Sequence, residues 1–439
     1  MKEQLRRVWK SVRMPGADTA ERAAARLASL CRSLLSERGE VSGARIAAEA
    51  LAAYQSLPDA GRDAFFTTLV NDYAPDARGV DAAIAAYQAA PSPERLNALH
   101  EAAEPQRQEL FRRLNTAPGG TRVLVRLRAD LLRTLNGHPE RSAVDADLVH
   151  LFRSWFNRGF LVLQRVDWRT SALILERLIE YEAVHQIQGW GDLRRRLERD
   201  RRCYAFFHPA LPDEPLIFVE AALTTAFAGH VQPLIDPHAP VANPADARCA
   251  MFYSITNCQE GLRGVSFGNF LIKQVVADLS SEFPRLKTFA TLSPVPGFRY
   301  WLADQPRLMS LRLASALNNI TDASALSSAP PDIKEEISRL CAYYLLHARH
   351  ARAPVDPVAR FHLANGARLE RLNWLGDTSA AGVRAAMGMT ANYLYRIADV
   401  EANHEAYARN FEVVASSSLE RLAKSVVAHA ALIRRTGTQ

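Results

Sequence analysis

Three short segments of this 439-residue chain combine residue types that can hold phosphate or move protons. The first is Gln259-Glu-Gly-Leu-Arg-Gly-Val-Ser-Phe-Gly-Asn-Phe-Leu-Ile-Lys273. Glycines at 261, 264 and 268 free the backbone to point successive amide N–H groups one way. An apolar helix is expected over 269–279, and a helix N-terminus is worth about 0.3–1 kcal/mol to a nearby anion. A strand expected over 250–256 feeds the loop, so strand, loop and helix make a candidate pyrophosphate cradle. A plain strand-to-helix turn is the competing interpretation.

The second segment is Thr291-Leu-Ser-Pro-Val-Pro-Gly-Phe-Arg-Tyr-Trp301. Pro294 and Pro296 have no amide donor, so a strand over 287–293 cannot run past Ser293 and must part from its neighbour. Ser293 is expected at the mouth of a splayed sheet, where open α/β sheets bind ligands. A serine that only caps a turn is the competing interpretation. The third segment is VARFHLANGARLERLNW, 358–374. Alternation about Asn365-Gly366 predicts a β-hairpin, with Phe361 and Leu363 on one face and Arg360 and His362 on the other. His362 would then point away from its apolar neighbours, and a pKa near 6.5 suits imidazole to acid–base work. His347 and His350 sit at i and i+3 on an expected helix without a carboxylate to complete a ligand set, so no metal site is expected.

These segments need a scaffold, and the pattern of elements changes along the chain. The first third predicts helix after helix. Leu27, Leu30, Cys31 and Leu34 form one apolar stripe over 19–37; Phe65, Phe66, Leu69, Val70 and Tyr73 form another over 63–73. Ser92-Pro93 has the types of an N-cap and first helical position, and Thr121 follows Pro118-Gly119-Gly120 as a cap for the next helix. A last helix is expected over 145–156. Short connectors favour an antiparallel bundle. After Gly159 the order becomes strand (160–168), two helices (171–185, 190–199), strands over 203–208, 215–223 and 250–256, loop, helix, and strand over 287–293. The polar 322–331 stretch reads as a loop before a helix over 332–347. The expected domains are 1–158, an all-α bundle, and 159–439, a mixed-sheet domain.

Composition narrows the function classes. The chain is 48% hydrophobic and 23% charged with ordinary Gly and Pro counts of 21 and 23, so disordered and collagenous classes are excluded. No apolar run nears the roughly 20 residues a membrane span requires, and no membrane role is expected. Lys+Arg 54 against Asp+Glu 47 leaves a net charge of +7, but no basic stripe interleaved with aromatics marks a nucleic-acid face. The five cysteines (31, 203, 249, 258, 341) form no CxxC pair, which argues for a reducing compartment. The basic start lacks the apolar run of a secretory signal, and a cytoplasmic location is expected.

The loop Arg263-Gly264-Val265-Ser266-Phe267-Gly268 resembles the Arg-Gly-x-Gly-x-Gly turn of GNAT acyltransferases, which holds the pyrophosphate of coenzyme A, with Ser266 where that pattern has its middle glycine. Taken together, FFHPALPDEPLIFVEAALT (206–224), FYSITNCQEGLRGVSFGNFLIKQVV (252–276), FATLSPVPGFRYWL (289–302), FHLANGARLERLNWLGDTS (361–379) and Ala391-Asn-Tyr-Leu-Tyr395 resemble malonyl-CoA decarboxylases. The resemblance implies a helical N-terminal oligomerisation domain, a GNAT-like catalytic domain, and a homo-oligomer, commonly a tetramer built as a dimer of dimers. It implies decarboxylation of malonyl-CoA to acetyl-CoA and CO2 in malonate or fatty-acid metabolism, with no metal or organic cofactor beyond the CoA of the substrate. It carries the catalytic serine onto Ser293 and the catalytic histidine onto His362, with Tyr395 and Ser254 also at the active site. Arg263, Gly264, Val265, Ser266, Phe267, Gly268 and Asn269 fall on the CoA-binding segment. Some members carry a glutamate where this chain has Ser266.

The implied chemistry suits these residue types. Loss of CO2 from a malonyl thioester leaves an enolate, whose oxygen needs hydrogen-bond donors and whose carbon needs a proton. One such donor is typically worth about 100–1,000-fold and a positioned general acid about 100–10,000-fold. Two rival classes share the CoA loop: a GNAT acyltransferase, which needs an acceptor groove, and a non-catalytic acyl-CoA sensor. A serine hydrolase would show a GxSxG elbow, which Ser293 lacks.

Overall fold

The computed structural model describes residues 15–37, 39–265 and 271–436, which gather into two compact units. One comprises the described residues up to Leu161 with His208–Pro212 and 259–265. The other comprises Val162–Phe207, Asp213–Cys258 and 271–436.

The first unit is helical: α1 (Pro15–Ser36), α2 (Glu40–Gln55), α3 (Asp59–Asn71), α4 (Ala77–Ala89), α5 (Pro93–Ala103), α6 (Gln106–Asn115), α7 (Gly120–Leu132) and α8 (Ser142–Trp155). The apolar stripes do what their spacing predicts. Leu27, Cys31 and Leu34 of α1 and Phe65, Phe66 and Leu69 of α3 are buried. Ser92 caps α5, its hydroxyl accepting the Arg95 N–H with Pro93 at the first helical position. Thr121 does not cap α7. Gly119 adopts φ +74° and opens the helix at Gly120, so Thr121 lies inside it and its hydroxyl donates to Asn115 Oδ1 at 2.7 Å.

Residues 259–265 are held against α7 by one guanidinium. Arg128 Nη1 donates to the carbonyls of Gly261 and Arg263, each at 2.8 Å, while its Nε donates to Asp145 of α8 at 2.7 Å. Gly261 sits so close to the Val125 carbonyl that any Cβ would collide with it. That close approach, rather than backbone flexibility, accounts for the first of the three loop glycines.

The second unit is built on an eight-stranded mixed sheet. Its strands are β1 (Val162–Val166), β2 (Arg201–Phe207), β3 (Ile217–Thr224), β4 (Cys249–Asn257), β5 (Thr288–Thr291), β6 (Ser293–Pro294), β7 (Arg368–Asn373) and β8 (Thr390–Leu394). Among them stand α9 (Ala172–Tyr181), α10 (Trp190–Arg196), α11 (Leu271–Glu282), α12 (Pro331–His347), α13 (Pro357–Ala364) and α14 (Ser417–Thr436). The order is β1-β2-β3-β4-β5-β8-β6, with β7 on the other edge of β8. Every pairing is antiparallel except β4 with β5. Every residue of β2 and all of β3 but its last are buried, as strands covered on both faces must be.

The parallel pair splits. Cys249–Phe252 run beside Thr288–Thr291, and the last link is the Leu292 N–H to the Phe252 carbonyl at 2.8 Å. Beyond it β4 stays with β3, while Ser293 and Pro294 turn to pair with Ala391 and Thr390 of β8. A register shift in the β3–β4 ladder, between Glu220/Ser254 and Ala221/Phe252, leaves Tyr253 as an extra residue and bends β4 at the split. A mixed sheet opened between two parallel strands is the GNAT-like arrangement expected for this region.

Four expectations are corrected. The strand expected over 287–293 is two, β5 and β6, because Leu292 is the hinge of the split. The 322–331 stretch contains a short helix, Ala323–Ser327, capped by Asp322 accepting the Ala325 N–H at 2.9 Å. The hairpin expected about Asn365-Gly366 does not form: 357–364 is the helix α13, and only 368–373 is strand. Asp356 accepts the Ala359 N–H at 2.7 Å and Pro357 fills the first helical position, which nucleates the helix. Gly366, at φ +80°, ends it where a Cβ would strike the Val400 carbonyl. His350 likewise lies beyond α12, where Arg349–His350 pairs with Ala353–Pro354.

Candidate active site

The split sheet and α13 together create a hydrogen-bonded chain. Ser293 is placed by β6 and His362 by the last turn of α13, and Ser293 Oγ lies 2.9 Å from His362 Nε2. On the other side of the ring, His362 Nδ1 lies 2.8 Å from the hydroxyl of Tyr395, which directly follows β8. The Tyr393 ring stacks on the imidazole, with centroids 4.5 Å apart and planes at 26°. His362 is therefore buried among apolar and aromatic groups and does not face away from them, contrary to the hairpin reading.

Burial sets the charge states. His362 is only 3% exposed, and desolvation pushes its pKa down to about 3, so the ring is neutral at neutral pH. Burial raises the Tyr395 phenol well above its ordinary value, which keeps it a proton donor. Asp356, the cap of α13, is pushed up to about 7 by burial, against the lowering effect of the Ala359 and Val358 N–H groups.

Ser254 lines the same cavity but makes different bonds. Its Oγ donates to both carboxylate oxygens of Glu182, at 2.8 and 2.7 Å, and lies 3.2 Å from Thr256 Oγ1. The cavity, about 210 Å³, lies in the split between β4 and β6 and is closed by α13. Ser254, Ser293, His362 and Asn257 supply its polar edge, and side chains such as Phe252, Leu292 and Val184 supply apolar wall. It has room for a short acyl group and not for a nucleotide. Wider hollows beside Trp301 and His347 (about 640 Å³) and beside Trp190 (about 720 Å³) are lined by no serine.

Of the expected CoA-binding residues, three are described. Arg263 is exposed and paired with Glu260 at 3.0 Å, Gly264 adopts φ +77°, and Val265 is buried. Ser266, Phe267, Gly268 and Asn269 lie outside the described residues. Among the described residues no three His, Cys, Asp or Glu side chains are grouped as a metal ion would need, and no helix is long and apolar enough to cross a membrane.

With this geometry in hand, comparison with known proteins is decisive. Residues 159–432 match the family model of the malonyl-CoA decarboxylase C-terminal domain, and 73–156 match that of its N-terminal domain. The chain belongs to the malonyl-CoA decarboxylase family. The mitochondrial malonyl-CoA decarboxylase of Anser anser anser is 36% identical over 346 residues, 72% of this chain and 69% of that protein. The Mus musculus enzyme is 35% identical over 355 residues, 73% and 72% of the two chains. A crystal structure of malonyl-CoA decarboxylase from Rhodopseudomonas palustris is 48% identical, with a TM-score of 0.86 over 91% of this chain and 99% of that one. The Agrobacterium vitis enzyme is 49% identical, with a TM-score of 0.83 over 90% and 99%.

The family's reaction is malonyl-CoA decarboxylation, and the acyltransferase and sensor alternatives recede. Sequence reasoning named Ser293, His362 and Tyr395, which the structure joins, and Ser254, which it seats in the same cavity on a separate partner. It passed over Glu182 and Thr291, each of which bonds one of the two cavity serines. Glu182 stands 72 residues from Ser254, and no local pattern links them. Thr291 had a signal: it shares a strand face with Ser293 at i, i+2.

Proposed function

We propose that the Ser293–His362–Tyr395 chain carries out the decarboxylation, with His362 protonating the enolate. The single observation that supports this most is the 2.9 Å contact between Ser293 Oγ and His362 Nε2 at the edge of an otherwise largely apolar cavity. Apolar walls strip water from the malonyl carboxylate and favour its departure as neutral CO2. The thioester carbonyl takes up the electron pair, so the chemistry needs neither metal nor organic cofactor. An anionic carboxylate near His362 favours the charged imidazolium; the ring takes one proton as substrate binds and, after CO2 leaves, gives the acetyl carbon the proton on Nε2, the nitrogen on the Ser293 side. The balance is malonyl-CoA plus one proton to acetyl-CoA plus CO2. Ser293 orients the acyl group. Ser254, whose own proton is directed to Glu182, offers lone pairs to the cavity and shapes it rather than donating to the thioester oxygen.

CoA itself is assigned to 263–269, where Arg263 supplies charge and the fixed 261–263 carbonyls set the loop's path. Self-association is assigned to the helical unit. Helices α4 and α5 pack on each other, yet neither contains a buried residue, and Ile84 and Leu96 remain 37% exposed. A second copy covering this hairpin fits a dimer-of-dimers tetramer. All five cysteines are free thiols, which fits the cytoplasm. The function is tested by incubating the protein with malonyl-CoA and no acceptor: equal amounts of acetyl-CoA and CO2 are expected, and acyl transfer only on adding an amine would refute it.

A further inference from the structure

The hydrogen bonds around His362 have a direction, and Thr291 sets it. Ser293 Oγ has one proton and two neighbours, Thr291 Oγ1 at 2.8 Å and His362 Nε2 at 2.9 Å. The angles at the first contact make Ser293 the donor and Thr291 the acceptor. Thr291 Oγ1 also accepts the Tyr393 backbone N–H at 3.1 Å, so it is fixed in the wall of the split.

With its proton committed to Thr291, Ser293 offers His362 only lone pairs, and Nε2 must carry the ring proton. A neutral imidazole has one N–H, so Nδ1 accepts, and the Tyr395 hydroxyl 2.8 Å away donates to it. The reverse polarity would leave the Tyr395 proton without another hydrogen-bond partner among the described residues, in a side chain only 3% exposed. Both ends of the chain therefore agree.

We propose that Thr291 is a positioning residue that takes the Ser293 proton and so holds His362 as its Nε2–H tautomer. Its consequence lies in the charged state. When the ring gains a second proton it does so at Nδ1, and the Tyr395 hydroxyl turns to accept it, its own proton giving up the partner it had in the neutral state. Ser293 accepts from Nε2–H before and after, so the cavity side of the ring does not reorganise when the ring charges. The Tyr393 face stacked on the ring favours that cation. The inference rests on the Ser293–His362 reading of the site, but the tautomer can be read without any turnover.

The test uses the full-length protein labelled with 15N-histidine, the His362 signals being assigned by their loss in His362→Gln. At neutral pH the ring should show a protonated Nε2 and a bare Nδ1. In Thr291→Val the Ser293 proton has lost its acceptor and turns to Nε2, so the ring proton should move to Nδ1; kcat should fall roughly tenfold, as for one lost buried hydrogen bond, with KM nearly unchanged. Thr291→Ser should restore both the tautomer and kcat. A wild-type ring protonated at Nδ1, or a folded Thr291→Val protein that keeps the Nε2–H form, overturns the proposal. If Thr291→Val does not fold, the wild-type spectrum and Thr291→Ser decide. A wild-type protein with the expected tautomer but no decarboxylation would leave this inference standing and refute the proposed function instead.

Discussion

Glu182 accepts the Ser254 hydroxyl through both carboxylate oxygens, at 2.8 and 2.7 Å, and the same carboxylate accepts the Val184 and His185 N–H groups at 2.8 and 2.9 Å. One buried side chain thus folds the segment after α9, sets Val184 in the cavity wall and fixes the direction of the Ser254 hydroxyl. Leaving a buried donor unpaired costs about 1–3 kcal/mol. Glu182→Ala strips several donors at once and is expected to lower unfolding free energy by roughly 2–4 kcal/mol, and kcat/KM with it. Glu182→Gln, which keeps one acceptor oxygen, should lose distinctly less. Denaturant titration and steady-state kinetics on both variants check this; equal losses would contradict it.

His362 makes stability depend on pH. Its folded pKa of about 3 lies below the unfolded value near 6.5, so between these values the unfolded chain binds the extra proton. Stability from this group is therefore full above about pH 6.5 and lost as pH falls toward 3. Between pH 6 and 4 the unfolding free energy of wild type should fall about 1.4 kcal/mol per pH unit more steeply than that of His362→Gln. Parallel slopes in denaturant titrations would show that His362 is not held neutral.

Arg128 ties the 259–265 segment to α7 and α8 through three bonds. Arg128→Ala leaves the Gly261 and Arg263 carbonyls without that donor and should weaken CoA binding about tenfold, while kcat at saturation changes little. Isothermal titration with CoA and saturation kinetics separate the two effects. A fall in kcat with unchanged CoA affinity would remove the loop from CoA binding.

The α4–α5 hairpin should be where copies meet. Ile84→Glu with Leu96→Glu places charge on its half-exposed apolar positions, and the sedimenting species is expected to shrink by at least a factor of two while the far-ultraviolet circular dichroism holds. An unchanged oligomer would move the interface elsewhere.

Much of this was legible from residue types. The stripe on α1 and the Ser92-Pro93 cap follow from local chemistry and stand as expected; the sheet does part in this segment, but at Leu292, and Pro294 itself pairs with Thr390. The hairpin error is instructive because its correction was also local. Asp356-Pro357 has the same cap-then-proline form as Ser92-Pro93, a local signal that lies just before the 358–374 segment and that the hairpin reading leaves out. Asn365-Gly366 closes a helix as readily as a hairpin, since both need a residue at positive φ. Glu182 was illegible for a different reason. The hydroxyls it accepts lie on β4, two intervening strands further along the chain, and only the folded sheet shows that a carboxylate after α9 meets a serine there.

The central claim is that Ser293 and His362 carry the decarboxylation, and the most direct test is single-turnover kinetics with malonyl-CoA on Ser293→Ala and His362→Gln beside wild type. Acetyl-CoA formation should fall at least about a hundredfold in His362→Gln and strongly in Ser293→Ala, with CoA affinity retained in both. Either variant turning over malonyl-CoA at the wild-type rate would contradict the account.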